Sequence, residues 1–499
     1  MIMNKIIFEN AKDGSLTCSF NGKFLHSKYN PLREAENFAE NLEFDFSPEC
    51  ILITEPAISY SALKIKAKFP KIKLAAIRYT REFDDYNSYF DYVFYAETKE
   101  EISNLQNNLL SKISGETLLS TIFLQWLPSS NVFSEQNAAA WQEIKNALNT
   151  AKAELFTNGF FSKRWFLNAI RLLSFSDNFF ALKKTSAPIV ICASGRSLKD
   201  SIPLLKKYRN RYHLIALSSA ISALIENSLI PDLAFSTDGG FWAKKHLEIL
   251  QKHPEIPLAI AEEGNAGTIL LKKSKIIPLC YSDGFSKKIF DILNVKTQLA
   301  VRNGTVSGTA AEFAMSLTTS KVFLCGLDLS TSKGYQHTMP NSLETFSKKF
   351  DCHTSSLEKR SVKAEFNTEA LKIYEKWFSA PERNFSEKAY RLSDNFSFKN
   401  NLNSMKDVNF DFFEKIAENE INTNFELKKI SLEKEKTEET IIKFIEKFCN
   451  TEAWKKEFFP AEYFSSNHKK NSDEKKMISE EIKKKNILFT DKIKKLAKK

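Results

Sequence analysis

Long apolar runs are missing from this sequence: none approaches about 18 residues, so no membrane-spanning helix is expected. Cysteine is sparse, with seven residues at 18, 50, 192, 280, 325, 352 and 449. None forms a C-x-x-C pair, so no zinc site is suggested. An odd, scattered set with Cys192 and Cys325 in apolar strands reads as buried free thiols in a reducing, cytoplasmic compartment. The first ten residues, MIMNKIIFEN, reach Glu9 without an apolar core, so no signal peptide is expected. Glycine and proline number only 14 each beside 42 Phe, a skew that points to no particular function. There is no internal repeat. The chain also lacks G-x-x-x-x-G-K-[ST], G-x-G-x-x-G, H-E-x-x-H and G-x-S-x-G, which removes the commonest nucleotide, metalloprotease and hydrolase signatures.

What is present starts with length. At 499 residues the chain is too long for one hydrophobic core, and two or three domains are expected. Its 42% hydrophobic content is that of an ordinary soluble protein. The net charge of +11 invites a nucleic-acid reading. However, residues Ile421 to Lys499 hold 20 Lys against 14 acidic residues, so more than half of the excess lies in this tail. Its signs are mixed, as on a solvated helical face, and no nucleic-acid partner is expected.

The pattern divides the chain into four regions: an N-terminal α/β domain (1–125), a helical connector (126–185), a Rossmann-like α/β domain (186–400) and a Lys/Glu-rich helical region (401–499). The first contains a hairpin turning at Asn21-Gly22 and one βαβ unit, ECILITEP to KIKLAAIRY. Its strand-to-helix turn, TEPAISYSA, has no glycine for close approach to a phosphate, so this region reads as a scaffold or partner-binding domain. From Ala187 strands and helices alternate strictly, which predicts a parallel sheet.

In such sheets ligands bind at the carboxyl ends of the strands. Four strand ends stand out. ASGRSL places Gly195 in a tight turn, Arg196 beside it, and Ser197 as a helix cap. STDGG ends a strand in Asp238 with Gly239 and Gly240 behind it. RNGTVSGTAAEFA puts small polar residues before a helix. CGLDLS ends in Asp328, followed by a loop with His337; His353 lies further on. Glycosyl transfer needs a base for the acceptor hydroxyl and stabilisation of the departing phosphate, and these two histidines follow the core strand ends. No D-x-D occurs in this core, which points to a donor handled without metal, such as a nucleoside monophosphate sugar.

The ordered set ASGRSL, PDLAFSTDGG, NGTVSGTAAEFAMSL and VFLCGLDLS resembles the central domain of the motility accessory factor (Maf) flagellin glycosyltransferases. NGKFLHSKYNPLREAENFAE and FFSKRWFLNAIRLL are similar to that family too, so the resemblance spans most of residues 15–395. The same core is similar to bacterial sialyltransferases that use CMP-sugars. The resemblance implies inverting transfer of a nonulosonic acid, pseudaminic- or legionaminic-like, from a CMP donor to Ser or Thr of flagellin, in support of flagellar assembly. It implies no cofactor and no metal. The donor site it implies comprises Ser194, Gly195, Arg196, Ser197, Ser218, Asp238, Gly239, Asn303, Thr305, Ser307 and Gly326, with His353, His337 and Asp328 as catalytic candidates. Two departures are visible. Gly195-Arg196-Ser197-Leu198 stands where the family usually has Gly-Pro-Ser-Leu, and Arg391-Leu392-Ser393-Asp394-Asn395 where it has Thr-Glu-Gly-Gly. Two alternatives remain: a pterin diphosphokinase-like enzyme on the same core, and a non-catalytic flagellin-binding protein.

Overall fold

A computed structural model describes residues 5–281, 283–302, 305–329, 337–356, 369–380, 383–393, 402–432, 434–469 and 471–498. The chain has an α/β fold with parallel-strand sheets. It divides into two compact units: Met1–Ser162 with Thr451–Ile487, and Lys163–Asn450 with Leu488–Lys499. Among the described residues no helix is long and apolar enough to cross a membrane.

The first unit opens with an antiparallel sheet of β1 (Ile6–Asn10), β2 (Leu16–Phe20) and β3 (Lys23–Phe24). Asn21 and Gly22 both take positive φ, 50° and 77°, in the tight turn between β2 and β3. Four parallel strands follow: β4 (Cys50–Thr54), β5 (Lys73–Arg78), β6 (Tyr92–Tyr95) and β7 (Thr121–Gln125), in the order β6-β5-β4-β7. The expected βαβ unit is thus the centre of a four-stranded sheet. Its carboxyl edge is plugged. Arg78, fully buried at the end of β5, donates to Glu55 Oε1 at 3.0 Å, Ala57 O at 2.8 Å and Ser59 Oγ at 2.8 Å. These partners lie in the glycine-free turn after β4, where Glu55, Ala57 and Ser59 all take positive φ. A guanidinium and carboxylate fill the place where a nucleotide-binding sheet would leave room.

Residues Ser134–Phe175 of the expected helical connector form one continuous helix, and Gly159 sits inside it without a break. The boundary between the units falls within this helix, after Ser162.

Among the described residues the second unit is built on a sheet of 11 strands. In chain order these are β8 (Phe179–Leu182), β9 (Ile189–Cys192), β10 (His213–Leu217), β11 (Leu233–Ser236), β12 (Leu258–Ala261), β13 (Ile276–Cys280), β14 (Gln298–Leu299), β15 (Val322–Cys325), β16 (Ala389–Leu392), β17 (Lys406–Val408) and β18 (Leu427–Ile430). The spatial order is β17-β16-β15-β9-β10-β11-β12-β13-β8-β18, with β14 also on β13; among the described residues only the β8–β18 pair of this sheet is antiparallel. The central strands β9 to β13 and β15 are buried throughout, as expected of a parallel sheet covered on both faces. On β9 and β15, Cys192 and Cys325 are register partners, both with 0% exposure. The helix Val306–Leu317 packs Ala310, Ala311, Phe313, Ala314 and Leu317 into the main core.

The region beyond residue 400 is helical from Thr437 on, and it also adds β17 and β18 to the sheet. Its last helix, Ser472–Ala497, is not solvated all round. Ile482, Asn486, Phe489, Ile493 and Ala497 are buried at three- and four-residue spacing.

Candidate functional site

The strand order reverses between β9 and β15: β10 to β13 follow on one side, β16 and β17 on the other. A doubly wound sheet opens its ligand crevice at the carboxyl ends of such a pair. The two loops leaving these strands are locked together. The Gly195 N–H donates to the Gly326 carbonyl at 2.9 Å. A Cβ on Gly195 would stand 2.4 Å from that carbonyl and 2.7 Å from Asp328 Oδ2. Gly326, at φ 68°, would put a Cβ 2.3 Å from the Ala193 carbonyl. Both positions therefore require glycine.

Asp328 is buried, and its carboxylate accepts from the Ser197 N–H at 3.0 Å and from the Ser197 hydroxyl. Ser197 precedes the helix Leu198–Lys207, so this negative charge stands at the helix N-terminus, where it is favoured. The geometry gives Asp328 the work of fixing the Gly195–Ser197 turn. Arg196 is exposed on that turn.

His337 is drawn onto the same turn. It pairs with Gly195 in an isolated bridge, while the next residue, Thr338, donates to Ser194 O at 2.8 Å through its N–H and to Gly195 O at 2.7 Å through its hydroxyl. Behind His337 lies Glu344, buried on the helix Ser342–Lys348. Its Oε1 accepts the His337 N–H at 3.1 Å and stands 3.4 Å from Nδ1 of the ring. Ser218 is buried where the turn after β10 begins; its neighbour Ser219 donates to Ser194 Oγ at 2.9 Å and accepts Asn341 Nδ2 on its carbonyl at 3.2 Å.

Asp238 is exposed just beyond β11, with Oδ1 accepting the Gly240 N–H at 2.8 Å. Gly239 is enclosed: a Cβ there would meet Trp165 Cδ1 at 2.7 Å and Glu263 O at 2.8 Å. His246 lies on the helix Phe241–Leu247. The structure places it within electrostatic reach of both His337 and Asp238. Burial pushes its pKa down to about 4, a charged His337 pushes the same way, and Asp238 opposes. His246 is therefore neutral near pH 7.

The other expected residues are more dispersed. Thr305 Oγ1 and Ser307 Oγ share a hydrogen bond of 2.8 Å at the start of the helix Val306–Leu317, which packs against β9, β10 and β15. His353 lies in an exposed turn between Cys352 and Ser355. Asn303 is outside the described residues.

Two carboxylates escaped the sequence reading. Glu262 and Glu263 follow β12 as Asp238 follows β11, so the strand-end rule was there to find them. Glu263 and Arg302 form a bidentate pair with both bonds at 2.8 Å, and Arg302 covers the Tyr281 ring at 4.3 Å. Glu262 is wholly buried; its Oε1 accepts the Tyr281 N–H at 3.1 Å, and burial lifts its pKa to about 7. Among the described residues no three His, Cys, Asp or Glu side chains are grouped to hold a metal ion.

Residues 163–334 match a family described as 6-hydroxymethylpterin diphosphokinase MptE-like. A protein of Treponema pallidum (strain Nichols), described as uncharacterized, is 28% identical over 302 residues, which is 60% of this chain and 66% of that protein, just under two thirds of its length. The structure of a MAf glycosyltransferase from Magnetospirillum magneticum AMB-1 superimposes with a TM-score of 0.56 at 13% identity, over 99% of this chain and 91% of that one. At that identity the likeness is one of fold: this chain shares the fold of that protein, and the core of its second unit matches the MptE-like family model.

Proposed function

We propose that this chain is a cytoplasmic glycosyltransferase that moves a nonulosonic acid from a CMP-sugar to Ser or Thr of flagellin without a metal ion. The observation that carries the reading is His337, set on the Gly195–Gly326 turn at the switch point and backed by Glu344 at 3.4 Å. The chain-length fold likeness to a MAf glycosyltransferase supports it. In the proposed reaction the acceptor hydroxyl oxygen bonds to the anomeric carbon as the bond from that carbon to the CMP phosphate oxygen breaks. The hydroxyl proton passes to His337 Nε2, and Glu344 stabilises the imidazolium that forms. Configuration inverts in this single displacement, and CMP leaves with the electron pair. Asp238 accepts hydrogen bonds from donor hydroxyls, and Arg196 adds positive charge beside the departing phosphate.

The test is thermal stabilisation by CMP, UDP, GDP and ATP, each with and without magnesium. Ligands that bind only the folded state raise the melting temperature. Stabilisation by CMP alone, without metal, is expected. The diphosphokinase reading rests on the match over residues 163–334, and a response confined to ATP with magnesium would replace the transferase reading with it. If no nucleotide stabilised the chain, a flagellin-binding role without catalysis would remain. His337→Gln is expected to retain CMP stabilisation while losing about a hundredfold or more in transfer rate.

A further inference from the structure

A cavity of about 390 Å³ opens beside the ends of β11 and β12. It is walled by Arg164, Asn168, Arg171, Phe241, Lys244 and Asn265, and floored by the turn 266–268. Three cations and no carboxylate line it. Arg164, Asn168 and Arg171 are spaced four and three residues apart, so they share one face of the long helix.

Arg171 is the informative member. It is half-buried, and its Nη1 donates to Asn168 Oδ1 at 2.6 Å. Among the described residues it has no ion pair, and burial alone pulls its pKa down. A guanidinium withdrawn from water with no opposite charge is costly, and an anion beside it removes that cost. Lys244 likewise makes no ion pair among the described residues, and its Cε lies 3.8 Å from where a Cβ on Gly267 would stand.

The walls are fixed. Asn168 Nδ2 donates to Gly239 O at 3.3 Å and to Glu263 O at 2.9 Å, tying the helix to both strand-end loops. Asn265 donates from its N–H to Asp238 O at 3.0 Å and from Nδ2 to Gly240 O at 3.0 Å.

We propose that this cavity is a binding site for a phosphorylated small molecule, whose phosphate or diphosphate is held by Arg164, Arg171 and Lys244. Three cations match two or three negative charges better than the single charge of a carboxylate. The volume lies at the lower end of the roughly 300–1,000 Å³ of small-molecule sites, larger than an inorganic ion needs. None of the charged residues involved belongs to the His337 site, so the assignment does not depend on glycosyl transfer.

Calorimetric titration of the full chain with inorganic pyrophosphate, in metal-free buffer of low ionic strength, tests it. Saturable binding at one site per chain is expected, weakened by about tenfold or more in Arg171→Gln and in Lys244→Gln. Lys244 is exposed, so its variant keeps the test valid if Arg171→Gln fails to fold. Asp328→Asn should bind pyrophosphate like the wild type. Absence of saturable binding, or binding indifferent to Lys244→Gln, overturns the proposal. So does equal affinity for N-acetylneuraminate, whose charge is one carboxylate. Pyrophosphate binding without any response to CMP would leave this site standing and sink only the transferase reading.

Discussion

Gly195 and Gly326 meet backbone to backbone, and a methyl group on either has nowhere to go. Gly326→Ala also forces an L-residue to φ 68°. It is expected to lose about 2–3 kcal/mol in urea denaturation. An unchanged midpoint would show that the turn relaxes easily. Glu262 gives a second test, through pH. Its folded pKa is raised to about 7 from the ordinary 4.5, so the folded state holds its proton where the unfolded chain has lost it. Its contribution is fully present below pH 4.5 and fades as pH rises through 7. Glu262→Gln should therefore be more stable than wild type above pH 7, by something on the order of 3 kcal/mol, and flatter between pH 4.5 and 7. His246 has the opposite sign. Its pKa is depressed to about 4, so its share of stability is lost as pH falls from 6.5 through 4.

At the level of elements, the helix Ser134–Phe175 does more than connect. Through Asn168 it holds the loops after β11 and β12. Asn168→Ala would strand two carbonyls, and a loss of about 1–3 kcal/mol is expected, read by thermal melting. The alternation from Ala187 onward made the parallel sheet legible, and strand ends led directly to Gly195, Ser197, Asp238 and Asp328. Strand β16 was not legible. Its four residues, AYRL, carry a central Arg391 that looks exposed in sequence; in the fold it is buried and paired with Asp407 on β17 at 2.7 Å. His246 and Glu344 were missed for a related reason. Each sits on a short helix, and only tertiary packing brings them to His337 or Asp238. The basic residues at 164 and 171 were hidden in the same way, inside the expected helical connector.

On the scale of the whole molecule, the C-terminal stretch belongs to both units. Residues Thr451–Ile487 return to the first, burying Trp454 and Phe458, with the Trp454 indole donating to Asn486 at 2.9 Å. Leu488–Lys499 return to the second, where Phe489 lies 6.3 Å from Phe166. A basic, mixed-charge composition hid this, because the buried stripe of the last helix is only one residue in three or four. A chain ended after Asn450 is expected to lose cooperative melting and near-ultraviolet dichroism in both units. Retention of a sharp transition would show that the tail is dispensable.

The paired thiols of Cys192 and Cys325 make the seam between β9 and β15 its own clock. Both are sealed from solvent, and burial pushes the Cys192 thiol well above its ordinary pKa, so alkylating reagents wait for the strands to part. The labelling rate of these two cysteines thus times the breathing of the strand pair that bears the Gly195–Gly326 turn, and a ligand bound across that seam should slow it.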